Sequence, residues 1–272
     1  MNVAGSYNYF NGEEHLLASL RTLRPCLDSI TVVTQRVSNA GLPMKAAAAA
    51  ALRRAVDQGL VDEVADYAPD PTLSRKGNET AKRRIGLDLA RRAGATHFLS
   101  LDADEFYRPA EVLRARDAIA RHGWRSTSVA SFLHLRRPVW RARDRTNCCF
   151  ITRILPRSEI GVRDFPVADV DESRRMTARR PTHHHFAPHE VAMYHMNLVR
   201  ADLGWKLANS STPDRAFLDR VAAAVAGWTP GQPFEMPRKG VLTLDRVPNE
   251  FATFDPDDDP PVVAATAWET PT

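Results

Sequence analysis

Residues 97 to 107 read HFLSLDADEFY, and three carboxylates fall within four positions: Asp102, Asp104 and Glu105. They follow directly on an apolar run. Like charges this close repel and resist burial, so something positive is expected beside them. Asp102 and Asp104 stand at i and i+2, which face the same way in extended chain. Both can therefore reach one site, while Glu105 faces away and reads as structural. Hard carboxylate oxygens suit Mg²⁺ or Mn²⁺, ions that often share their remaining coordination with substrate phosphates. The plainer alternative is a polar turn that caps the helix opened by Pro109. If the cluster is repulsive, removing one carboxylate should slightly stabilise the metal-free protein.

Other groups are less sharply placed. His183, His184 and His185 are consecutive, with His189 close behind. Three neighbouring imidazoles cannot all face one ion from regular structure, and zinc prefers spaced ligands. A loop on the acceptor side of a site, or plain surface, is the favoured reading over zinc. Cys26, Cys148 and Cys149 form no metal spacing and read as reduced thiols in a cytoplasmic setting. Between Arg121 and Arg157 there are nine arginines against one aspartate, with Trp124 and Trp140 among them. That stretch suits phosphates of a ligand or nucleic acid, or simply a solvated arginine surface. From Glu250 onward there are six acids and no base, which reads as a mobile acidic tail. The N-terminus carries no basic segment followed by an apolar run, and no apolar stretch approaches membrane-spanning length.

The elements that must position these groups alternate. Val3 to Tyr7 reads as a strand, followed by a helix that Asn11 caps, with Glu14 completing a capping box. Ser29 to Thr34 is β-branched and strand-like. Met44 to Gln58 reads as helix, Val61 to Tyr67 as strand, Asn78 to Ala93 as helix and Thr96 to Leu101 as the strand that delivers the carboxylates. Pro109 opens a helix ending near Gly123. Alternation of this kind implies an α/β fold with a mostly parallel, doubly wound sheet, whose ligands bind beyond the carboxyl ends of the strands. Ser126 to Leu135 and Asn147 to Leu155 read as antiparallel additions joined by an arginine-rich loop. A loop-rich section from Pro156 to Pro188 follows. C-terminal helices are expected at Asn197 to Ser210 and Pro213 to Trp228, with a strand at Val241 to Val247.

The stretch GNETAKRRIGLDLARRAGATHFLSLDADEF resembles the nucleotide-sugar glycosyltransferases of GT-A fold, most nearly the broad family 2 group. A second match lies in EVAMYHMNLVRADLGWKLANSS. The resemblance covers about residues 1–210 as a catalytic domain, with a donor half to about residue 107 and an acceptor half to 210. Residues 211–272 then form a C-terminal helix, a short strand and the tail. It implies that Asp102 and Asp104 meet the donor diphosphate through Mn²⁺ or Mg²⁺, and that His195 joins the metal shell. Lys206 on the following helix, and Lys82 and Arg83 on the helix before the motif, are implied as donor contacts. Ser6 and Tyr7 are a loose match to the family's nucleotide segment. Thr34 and Gln35 stand where the family usually has an acid.

An inverting transfer needs a base for the acceptor hydroxyl. Asp171 and Asp169, which precede Arg174 and Arg175, loosely resemble the family's acid-then-arginine segment. Glu190, five residues before His195, is the third candidate. The resemblance implies a metal-dependent hexosyltransferase using a nucleotide sugar, commonly a uridine donor such as UDP-glucose. The acceptor is open between a glycan and hydroxymethylated pyrimidines in DNA, in a bacterial or phage-infected cytoplasm. Nucleotidyl transfer would need a glycine-rich basic loop after the first strand, and SYNYFNGEE offers one glycine and two acids. A non-catalytic sugar-nucleotide-binding protein is the remaining alternative.

Overall fold

The computed structural model describes residues 1–256 of the 272. Its first half is a wound α/β unit of β1 (Val3–Asn8), α1 (Glu13–Leu23), β2 (Ser29–Thr34), α2 (Ala46–Asp57), β3 (Glu63–Asp66), α3 (Arg75–Arg92) and β4 (His97–Asp102). Then come β5 (Glu105–Phe106), α4 (Pro109–His122), β6 (Ser126–Leu135), β7 (Arg137–Cys149) and β8 (Thr152–Arg153). The chain continues through β9 (His183–Phe186), β10 (Ala192–Leu198), α5 (Leu203–Ala208) and α6 (Arg215–Gly227). It closes with β11 (Phe234–Met236), β12 (Gly240–Leu242) and β13 (Asp245–Arg246).

The first sheet runs β3-β2-β1-β4-β8, parallel except for the β4–β8 pair. The chain winds outward from β1 to β3, and α3 then carries it back across to β4 on the other side of β1. That reversal creates a crevice between the carboxyl ends of β1 and β4, the usual ligand position in such sheets. Asn8 and Asp102, the last residues of the two strands, are register partners there. Leu16, Leu20 and Leu23 of α1 and Ala48, Ala51 and Ala55 of α2 fill one face of this sheet, while Leu87 and Ala90 of α3 meet Ala4 and Phe98 on the other. A second sheet, β13-β7-β6-β10-β5 with β9 against β6, forms the other half. The α/β architecture with antiparallel additions expected from the residue pattern is present.

Local chemistry explains several departures. Asn11 does not cap α1; Gly12 takes that position at φ 95°, a conformation favourable only to glycine. Ser74 caps α3 three residues earlier than expected, its Oγ accepting from Gly77 N at 3.0 Å. The arginine-rich segment after Arg136 is strand and not loop. Arg141, Arg143 and Arg145 alternate with buried Ala142 and Asp144, so these arginines lie on the outward face of β7. Asn197 lies in strand β10, and the helix after it shrinks to α5. The start of the acidic tail is tied down: Glu250 pairs with Arg108 at 2.7 Å and Asp255 with Arg137 at 2.8 Å. The rest, from residue 257, lies outside the described residues. No helix among them is long and apolar enough to cross a membrane.

Candidate functional site

A polar cleft of about 310 Å³ opens at the β1–β4 crevice. Asp102 and Asp104 line it together with Lys82, Asp171, His195 and Lys206. The partners of the carboxylates answer the charge problem posed by the motif. Asp102 accepts from Arg83 Nη2 at 3.0 Å on each oxygen, and from Arg174 Nη2 on Oδ2. Arg174 also donates to Glu105 Oε2 at 2.9 Å, and Glu105 Oε2 accepts from the Asp102 amide at 3.1 Å. Asp104 accepts from Arg200 Nη2, and from Lys206 Nζ at 3.0 Å, both on Oδ2. His195 Nε2 stands 3.7 Å from its Oδ1. Burial would raise both aspartyl pKa values. Arg174 and Arg83 override it at Asp102, and Lys206 and Arg200 at Asp104, so both carboxyls are held below the ordinary carboxylate range. At buried Glu105 the desolvation wins over Arg174 and the pKa rises.

The fit to a divalent ion follows from these contacts. Both oxygens of Asp102 are taken by guanidinium groups, and Oδ2 of Asp104 by a guanidinium and an ammonium. Among the described residues no three His, Cys, Asp or Glu side chains are grouped so as to hold a metal ion. Asp102, Asp104 and His195 do share one cleft, but in this arrangement they do not present a free ligand set.

Lys82 differs from its basic neighbours. It is 3% exposed, and its Nζ donates to Tyr9 O at 2.9 Å. Among the described residues no carboxylate pairs with it. Burial lowers its pKa to about 7, against a smaller upward pull from Asp102.

Amide side chains supply part of the remaining lining. Asn8, Gln35, Asn197 and Asn209 line the cleft, and in each the side-chain oxygen is buried and accepts no hydrogen bond. Buried acceptors without donors are costly. Four amide oxygens of cleft-lining residues thus lack a donor within the protein. Three of the four are not legible from sequence, because single Asn residues near turns and strand ends read as local turn formers.

The remaining candidates divide. Asp171 lines the cleft, accepts from Ser173 N at 2.9 Å and lies 3.5 Å from Lys76 Nζ. Its side chain is itself exposed, so the upward pull of partial desolvation is outweighed by Arg83 and the Ser173 amide and the net shift is downward. Asp169 and Glu190 are exposed and do not line the cleft; Glu190 Oε2 instead accepts from Ala187 N at 2.7 Å. Five residues of extended chain between Glu190 and His195 span roughly 16 Å. Ser6 and Tyr7 are core groups. Ser6 packs under α3, where a Cβ on Gly86 would fall 2.0 Å from its Oγ, and Tyr7 Oη contacts Ser19 Oγ at 3.0 Å. Thr34 is buried beside Gln35 and lines a neighbouring recess. Arg83 acts beneath the cleft, through Asp102. The histidine run is strand β9: His183 contacts Ser126 Oγ and Ser128 Oγ at 2.8 and 2.9 Å, and His184 stacks on Trp124 at 3.7 Å. All three cysteines are buried and free.

No protein-family model matches this chain, and no curated protein does. Solved structures do. The crystal structure of S. aureus TarS is similar over 49% of this chain and 22% of its own, at 14% identity and a TM-score of 0.35. TarS 1–349 in complex with UDP-GlcNAc is similar over 49% of this chain and 35% of its own, at 13% identity and a TM-score of 0.34. The mannose-1-phosphate geranyltransferase from Thermus thermophilus is similar over 84% of this chain and 66% of its own, at 14% identity and a TM-score of 0.33. The chain spans about a fifth to a third of the length of these TarS chains.

Proposed function

We propose that this protein is a nucleotide-sugar-dependent glycosyltransferase that moves a hexosyl group, from a UDP-sugar as the family resemblance implies, to a hydroxyl acceptor with inversion. The observation that carries the reading is the composition of the β1–β4 cleft. Lys82 has no carboxylate partner among the described residues, Lys206 can exchange Asp104 for another anion, and four buried amide oxygens lack hydroxyl or N–H donors. A sugar joined to a nucleoside diphosphate offers both in one molecule.

In the transfer, the acceptor oxygen forms a bond to the anomeric carbon while the bond from that carbon to the diphosphate oxygen breaks. The bonding pair leaves on the diphosphate. The acceptor proton passes to a carboxylate, and Asp171 is the candidate that faces the cleft. Its lowered pKa keeps it ionised at neutral pH and so able to accept. A second cleft of about 400 Å³ is lined by Trp140, Trp228, Arg136 and Arg200, and the Arg200 guanidinium pairs with Asp104 of the first cleft. Its apolar rings and basic rim fit an acceptor with a flat sugar face.

The test is incubation with a panel of nucleotide sugars, reading nucleotide release and donor binding together. Asp171→Asn is expected to lower turnover by about 10²- to 10⁴-fold with donor affinity unchanged. Absence of both release and binding with every donor would sink the enzyme reading. Undiminished turnover in Asp171→Asn would move the base elsewhere.

A further inference from the structure

We propose that the donor diphosphate is held by Lys82 and Lys206 without a divalent ion. The inference rests on the nucleotide-sugar reading above and concerns how that site neutralises charge.

Three observations support it. A divalent ion between Asp102 and Asp104 would have to displace the cations already bound to them. It would then sit among Arg83, Arg174, Arg200 and Lys206, and charge repulsion at such distances is strong away from bulk water. Lys82 is an ammonium almost wholly withdrawn from water, with one backbone acceptor and no carboxylate partner among the described residues. An ammonium can donate three hydrogen bonds, so it retains donors for an anion entering the cleft. Finally, Lys206 stands at the cleft wall on the short helix α5, its side chain 28% exposed. Its flexible stem can turn Nζ from Asp104 toward a phosphate oxygen.

The charge balance survives that movement. When Lys206 leaves Asp104, Arg200 remains paired with the carboxylate, and its side chain is 2% exposed. Asp102 stays neutralised by Arg83 and Arg174. The motif carboxylates then do not repel the diphosphate, and their task is to hold basic groups around the floor. Asp104 positions Lys206 at the cleft wall and releases it to the ligand.

Calorimetric titration of the full-length protein with UDP-glucose, GDP-glucose and inorganic pyrophosphate, once in EDTA and once in Mn²⁺, tests this directly. The expected result is binding in EDTA with an affinity that Mn²⁺ does not improve. Lys206→Gln, at the cleft mouth, should weaken binding in EDTA by about tenfold or more, the worth of one charge-assisted hydrogen bond. Lys82→Gln should do the same if it folds. Binding that appears only with Mn²⁺ would overturn the inference and leave the nucleotide-sugar reading standing. Wild-type affinity in Lys206→Gln would also overturn it. No binding of any probe under either condition would overturn both.

Discussion

Arginines do opposite things in two parts of this molecule. At the cleft floor Arg83, Arg174 and Arg200 are buried against Asp102, Glu105 and Asp104. On β7, Arg143 and Arg145 point into solvent and alternate with the buried Ala142 and Asp144. β7 carries four arginines in 13 residues, a dense run of positive charge. Yet electrostatic consequence is concentrated in the first, where water screens the pairs far less. Counting charges along the chain draws the eye to β7, while burial assigns the site to residues scattered over positions 82 to 206.

The comparison breaks most visibly at Arg174. Arg174→Met would leave Glu105 buried with its main counter-charge gone and Asp102 with one partner fewer. Loss of one partner from a buried pair typically costs about 3–5 kcal/mol. Because Asp102 is partly exposed, about 3 kcal/mol is the expected loss here, read as a shift in denaturant midpoint. A loss under about 1 kcal/mol would mean that the floor is no more strongly coupled than a surface pair. This reverses the expectation from the bare sequence, in which three adjacent acids repel and removing one relieves strain. The acids are each satisfied by basic groups from elsewhere in the chain, so removing any member of the network exposes its partner.

A smaller effect sharpens the contrast within the cleft itself. Lys82 has a pKa lowered to about 7, from an ordinary 10.5, chiefly by burial. Between those values the unfolded chain binds the proton more tightly than the folded one, so burying Lys82 costs stability at low pH and that cost is relieved as pH rises across the window. Ligand binding runs the other way. The ammonium is the form that meets a diphosphate, so affinity should be flat below about pH 7 and fall as pH rises, by at most about tenfold per unit for one linked proton. UDP-glucose is the suitable probe, because its diphosphate does not titrate there. A pH-independent affinity between 6 and 9 would remove Lys82 from the anion site.

How far the sequence can be read follows the same divide between local and distant causes. The strand β4 and its terminal Asp102 are legible because an apolar run and a strand-end carboxylate are both local. So is the wound first half, whose β-branched and helical periods are short-range. Asn11 misleads as a cap because a capping-box spacing says nothing of Gly12, which adopts the left-handed turn at the start of α1. The β7 strand misleads because its outward residues are arginine, and charge masks the period of two. Arg174 lies 72 positions from Asp102, and no spacing rule joins them. The amide oxygens of Asn8, Asn197 and Asn209 are invisible for a related reason: what marks them is a missing partner, and that exists only after folding.

The smallest effects belong to β7 and separate its arginines from one another. Arg141 places its guanidinium carbon 4.9 Å from the Phe132 ring centre and 5.9 Å from that of Tyr194. Arg145 is exposed, and no aromatic contact of this kind is found for it among the described residues. Arg141→Gln should therefore cost about 0.5–1 kcal/mol, the range for a partly exposed cation over an aromatic face. Arg145→Gln should stay within about 0.5 kcal/mol of wild type, as surface substitutions generally do. Paired chemical denaturation of the two variants reads the difference. Equal losses at both positions would mean that outward arginines on this strand share a network, and the contrast between a paired floor and a solvated strand would no longer hold.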